Sequence, residues 1–417
     1  MNTKAAPPIQ STGLRERLRI VAEFLVVGIC TLAFALTFAG ILGSLLARNA
    51  AGSHDFVEYW AAGHLLAHHA NPYDGDAILH LERTTGFPAG IPPLIMANTP
   101  WSLPLVLPLS WLSPKTGLLL WTLLLFFCLV ASVRMVGAMH GRRKTRLNIL
   151  GYAFAPALIC LLVGQISIFL LLGLVLFLRL HQLRPFWAGA SLWLCMLKPH
   201  MFLPFGIVLL LWAMAMKSYK VLAGAASALA ISTAIVLIID PHVWLQYVEM
   251  MNTSRVDRII FPCLSVMLRV YVWPHTFWLQ CVPAALGCAW AIGYFRRHRL
   301  HWDWLKHGSL LMLVSVLVPP YTWFTDQAIL IPALLHAAYV THSRIAVALL
   351  ALASAAVEMQ NLLGASSLYS ALYLWTVPVW LVWYLFATKP DGAAKGSAPA
   401  VTAAAALIPA GGSDCPK

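Results

Sequence analysis

The chain has 417 residues, of which 60% are hydrophobic and only 10% charged. That is too little polar surface to cover a soluble globule, so the composition excludes one and indicates an integral membrane protein. The formal net charge of +13 would mean nucleic acid in a soluble protein. Here the cations fall in short clusters between apolar runs, where they set topology and meet anionic headgroups, and no nucleic-acid role follows.

In chain order, residues 1–19 form a basic segment (Lys4, Arg15, Arg17, Arg19) expected on the cytoplasmic side. The apolar run 20–46 is far longer than the roughly 7–15 residues of a signal-peptide core and is expected to remain as a signal anchor. A first large outer loop, 48–97, holds Asp55, Glu58, Asp74, Asp76 and Glu82. Pro100, Pro104 and Pro108 then mark 98–113 as a re-entrant or interfacial segment. Further apolar runs lie at 116–139, 148–162, 166–180, 186–197, 201–216, 221–240, 276–295, 308–322, 327–340, 345–362 and 368–386, with a second outer loop at 241–275. The Ala-, Gly- and Pro-rich stretch 389–417 has no amphipathic pattern and is expected to be a disordered cytoplasmic tail.

With the N-terminus inside, the clusters Arg142-Arg143-Lys144 with Arg146, Arg179 with Arg184, Lys217 with Lys220, Arg296-Arg297-His298-Arg299 with Lys306, Arg344 and Lys389 all fall on one side, as the positive-inside rule requires. The expectation is an all-α, polytopic body over 20–388 with about twelve spans. Several runs are shorter than the roughly 20 residues of a straight crossing. Short helices broken at polar residues line protein-walled cavities, because bare backbone is not tolerated against lipid. The breaks are Gly164-Gln165, Lys198-Pro199-His200 and 319–326, and by the same topology all three open, with Asp55, toward the outer face.

The eight cysteines lack CxxC spacing and mostly lie in apolar runs, so they read as small core residues. A carboxylate at a cavity mouth can accept a proton from a hydroxyl while a phosphate departs on the other side, which makes Asp55 a candidate general base. The competing role is a helix N-cap before Phe56. Glu58, one turn on, forms a carboxylate pair with Asp55 or lies on a solvated helix face, and the second is the stronger expectation.

Lys198, Arg255, Arg258 and Arg269 break the topology rule. Lys198 and Arg269 suit an anionic leaving group; Arg255 and Arg258 suit that role or snorkelling to headgroups. His64 and His68, four apart, with His54 and His69, invite a metal reading, but there is no HExxH and no recognisable set of three or four ligands, so the default is solvated or interfacial histidines. Most tryptophans suit an interfacial belt, while Trp60 and Trp323 could stack on a sugar.

The order of short motifs resembles glycosyltransferase family 87, mannosyltransferase-like membrane enzymes of the C-type (GT-C) fold, over roughly residues 50–340. The motifs are Asp55-Phe56 with Tyr59, Ala61-Ala62 and Asn71-Pro72-Tyr73; Phe87-Pro88, Ile91-Pro92-Pro93, Pro108-Leu109 and Leu120-Trp121; Gly164-Gln165; Ala188-Gly189 with Lys198-Pro199-His200; Asp240-Pro241 with Trp244; Ser265 with Arg269; and Pro320-Tyr321 with Asp326. The resemblance implies inverting transfer of a sugar, typically mannose, from a polyprenyl-phosphate donor to a lipid or glycan hydroxyl at the outer leaflet of an inner or plasma membrane. It implies that no nucleotide sugar is used; no cofactor is expected, with a divalent metal left open.

It also implies Asp55 as base. With the residue reading above, the expected site has Lys198, Arg269, Arg255 and Arg258 at the donor phosphate and His54, Glu58, Tyr59, Gln165, His200, Trp323 and Asp326 around the substrates. His200 stands where the family commonly has Gln, Ile91 where it has Tyr, and Thr322-Trp323-Phe324-Thr325-Asp326 where some members carry a histidine-containing segment. The alternative is a transporter or flippase of lipid-linked glycan intermediates, which needs ionisable groups buried within spans. A non-catalytic assembly subunit accounts for neither the first-loop acids nor the motif order.

Overall fold

The computed structural model describes residues 11–47, 52, 54–141, 146–253, 260–274, 276–364 and 371–389. The sequence-based expectations for residues 1–10, the Arg142-Arg143-Lys144 cluster, Arg255, Arg258 and the tail beyond residue 389 lie outside the described residues. Among those described, all regular secondary structure is helical.

Five helices are long and apolar enough to cross a membrane: Glu23–Leu46, Pro114–Met139, Tyr219–Ile239, Phe277–His301 and Arg344–Leu362. Between them lie shorter apolar helical stretches, among them Asn148–Val163, Ser167–Leu180, Pro185–Leu197 and Phe324–Val340. The Pro-rich segment forms three turns of a few residues each, Pro100–Ser102, Leu103–Val106 and Leu107–Trp111. Repeated prolines remove backbone donors and allow no continuous helix. The segment is anchored by Asn98 and Trp101, whose side chains donate to the carbonyls of Leu197 (2.7 Å) and Met196 (2.8 Å).

The first outer loop is largely packed into the protein. Its helix Phe56–Ala67 buries Phe56, Val57, Tyr59, Trp60, Ala61, Ala62, Leu65 and Leu66. The physical reason is its composition, apolar or small on nearly every side, so that no face prefers water. Trp60 is core as well: it is buried and its indole N–H donates to the Leu112 carbonyl at 3.1 Å. That removes it as a sugar-stacking platform.

Helices Pro185–Ser191 and Tyr219–Ile239 pack backbone to backbone. A Cβ on Gly189 would run into the Val221 carbonyl, and one on Gly224 into the Phe186 carbonyl. Small residues permit such close approach between apolar helices. Gly189→Ala or Gly224→Ala is expected to cost about 1–3 kcal/mol through overpacking, read as a lowered unfolding midpoint of the purified protein. An unchanged midpoint would mean that the crossing relaxes freely.

Candidate functional site

The helix Ala155–Val163 stops at Gly164, whose φ of +74° is left-handed. Gln165 N–H returns to the Cys160 carbonyl at 2.9 Å, a glycine-terminated stop that other residues adopt only with strain. The carbonyls left free at this helix end hold the site. Val163 accepts from the Asp55 N–H at 2.9 Å, and Gly164 from the Trp121 indole at 2.7 Å.

Asp55 occupies the N-cap position of Phe56–Ala67, but its side chain makes no capping hydrogen bond. Its Oδ2 instead accepts from Gln165 Nε2 at 2.9 Å. The Gln165 amide is oriented by its other end, where Oε1 accepts from Ile166 N–H at 3.0 Å and from the Tyr59 hydroxyl. With both donors on the oxygen, the NH2 group must face Asp55.

Glu58 is not the solvated surface residue expected. It lies half-buried beside Asp55, with the Tyr59 hydroxyl in reach and the charges of Asp55, Lys198 and Glu82 acting on it. The correction has a simple cause: the helix it sits on is itself buried, so the outward face implied by the sequence pattern does not exist. Asp55 and Glu58 keep some exposed surface, yet both carboxyls are enclosed by protein atoms. Burial pushes Asp55 up to about 6, against the Gln165 hydrogen bond and the Lys198 charge. Burial, then the neighbouring Asp55, pushes Glu58 up to about 8.

The three broken-helix motifs meet through one carboxylate. Lys198, between two short turns and followed by Pro199, places Nζ 2.7 Å from Asp326 Oδ1, and both residues are buried. Ser167, two residues past Gln165, donates to the same oxygen. Asp326 Oδ2 accepts from Trp323 N–H at 2.8 Å and from Thr322 Oγ1 at 3.4 Å. Lys198, Ser167 and the Trp323 N–H thus donate to Asp326, while the one Thr322 hydroxyl proton is divided between Oδ2 and the Trp323 carbonyl at 3.3 Å, so the carboxylate is held as an anion by its ion pair and these donors. Ser167 carried no motif signal of its own; only its spacing from Gln165 could have pointed to it.

His200 stacks on Tyr321, ring centroids 4.0 Å apart, and Tyr321 and Trp323 pack on Phe261 at 5.5 and 5.0 Å. Arg269 is buried on the neighbouring helix Leu264–Val272, its guanidinium 5.8 Å from the Phe277 ring centroid. Arg269 thus lies on the helix that packs Val266 against the aromatic patch of Phe261, Tyr321 and Trp323. His54 is buried, with Nε2 3.2 Å from Ser44 Oγ on the first helix. His64 and His68 stack on each other beside Trp60. Among the described residues no three His, Cys, Asp or Glu side chains are grouped to hold a metal ion.

No curated protein and no solved structure gives a match to the chain. A family model described as Glycosyltransferase family 87 matches residues 97–320. The match takes in Gln165, Lys198, His200 and Arg269 and stops short of Asp55 and Asp326, a narrower span than the motif order implied. Since it covers more than half of a helical, apolar chain whose broken segments converge on one polar centre, the chain is a membrane protein that belongs to glycosyltransferase family 87.

Proposed function

We propose that the protein moves a hexose, with mannose as the type case, from a polyprenyl-phosphate sugar to an acceptor hydroxyl at the outer face of the membrane, with inversion. The seven shorter apolar helical segments would complete about twelve crossings in the GT-C manner. The acceptor O–H gives its proton to Asp55 as its oxygen forms a bond to the anomeric carbon. On the opposite side the bond from that carbon to the phosphate oxygen breaks, and its electron pair leaves on the polyprenyl phosphate. Lys198 has three N–H donors and spends one on Asp326, so the other two are free for the leaving phosphate. Arg269 would supply a second positive charge.

The observation that carries this reading is the Asp55 side chain, which leaves its capping position and is held by an oriented amide in the field of Lys198. The transporter reading draws on Glu358, buried in Arg344–Leu362. That carboxyl accepts from Thr37 in the contact with the first helix, remote in sequence from all three breaks.

The test is incubation of the membrane-embedded protein with radiolabelled polyprenyl-phosphate mannose and an acceptor extract. Label should appear in a new lipid or glycan. Label that only changes leaflet would favour the transporter. A base must be ionised to act, so transfer should fall as pH drops through about 6, the value to which Asp55 is raised. A rate flat to pH 4 would remove Asp55 from that role.

A further inference from the structure

Two half-buried carboxyls one helical turn apart cannot both ionise cheaply unless a cation serves each. Around Asp55 and Glu58 the described cation is Lys198, and Asp326 already neutralises it at 2.7 Å. The packing elements bring little else. The turns between Leu103 and Trp111 contain no titratable side chain, Lys115 and Arg134 of Pro114–Met139 are exposed, and Gly75–Thr84 contributes Glu82, a further carboxyl that accepts from the Leu94 N–H at 3.1 Å, and Arg83, whose guanidinium is taken up by the Phe87, Pro88 and Ile91 carbonyls. Asp55 has the Gln165 amide to stabilise its anion. The Tyr59 hydroxyl within reach of Glu58 gives its one proton to Gln165 Oε1 and so offers a Glu58 anion little. Of the two, Glu58 is the one that keeps its proton.

We infer that Glu58 is a protonation gate on the anionic donor, admitting a phosphate while it is a neutral carboxyl and repelling it once its proton has gone to water. The inference rests on the proposed use of a phosphate-linked donor. With Asp55 and Asp326 ionised and Lys198 charged, the site carries one net negative charge; ionised Glu58 makes it two. Glu58 is one helical turn from Asp55, which is bonded to Gln165, and Ser167, two residues on, joins the Lys198–Asp326 pair, so a phosphate held on the remaining Lys198 donors lies in the field of Glu58. Glu58 is thus a positioning residue whose effect belongs in donor affinity rather than in the chemical step.

The experiment measures kcat and donor KM from pH 6 to 9 for the full chain in lipid nanodiscs, with polyprenyl-phosphate mannose as donor. Glu58 loses its proton near 8, so the wild-type donor KM should rise about tenfold between pH 7 and 9, with kcat far less affected. Glu58→Gln, which imitates the protonated form, should flatten that rise. An equal rise in the variant would overturn the inference. Should Glu58→Gln fail to insert, Glu58→Asp serves instead: the rise must move along the pH axis, and a curve superimposable on wild type would be fatal.

Infrared spectra at pH 7 give a reading without turnover. The protonated-carboxyl absorption, to which buried Glu82 and Glu358 also contribute, should be the same in wild type and Asp55→Asn and lose one component in Glu58→Gln, and an undiminished absorption in Glu58→Gln would refute the assignment. If no donor is turned over while the band behaves as expected, the functional reading fails and the protonation of Glu58 stands.

Discussion

Asp55→Asn should reduce sugar transfer by about 10²–10⁴-fold, the usual contribution of a positioned general base, while the protein still folds and inserts. The expectation of intact folding is structural. The Asp55 side chain caps nothing, and what ties the residue down is its backbone N–H on the Val163 carbonyl. Asn keeps that bond, and its amide oxygen can accept from Gln165 Nε2 as the carboxylate does. The variant loses proton affinity and little else. Transfer at wild-type rate by a normally expressed Asp55→Asn protein would exclude the base role, whereas loss of monodisperse protein would show that the charge is structural.

Lys198 is expected to behave differently, because two effects are superposed on it. Lys198→Met removes the proposed phosphate donor and also leaves Asp326, 0% exposed, as a buried carboxylate without its cation. Breaking a buried pair from one side costs about 3–5 kcal/mol, whereas replacing both partners can be close to neutral. The single variant should therefore unfold at much lower temperature, and Lys198→Met with Asp326→Asn should recover most of the midpoint. Transfer should not recover in the double variant, since no ammonium is left for the leaving phosphate. Recovery of both stability and transfer would reduce the ion pair to a structural strut. Failure of the double variant to regain stability would mean that Ser167, Thr322 and the Trp323 N–H require a full negative charge at position 326.

The class of the protein was legible from composition because the hydrophobic effect acts on totals: too few polar residues exist to cover the surface. The helix breaks were legible because glycine and proline act locally on the backbone, as at Gly164 and Pro199. Glu58 was misjudged for the converse reason. A carboxylate on a short helix in a charged loop reads as solvated, and nothing nearby in sequence tells that the whole helix is enclosed by Leu107–Trp111 and Pro114–Met139. Asp55 posed the same difficulty from the other side. Its capping pattern is local, but the donor that draws its side chain away is Gln165, 110 residues on.

What the sequence alone determined is therefore a helical membrane chain, the positions where its helices break, and the motifs of its family. The tertiary structure alone decided that the breaks at 164, 198 and 319–326 share one carboxylate, that Lys198 is neutralised before any substrate arrives, and that Asp55 and Glu58 lie half-buried side by side. Local backbone preference depends on neighbours a few residues away. Charge, burial and proton affinity depend on whichever distant groups the packed helices bring within a few ångströms, and so they are set only once the chain has folded.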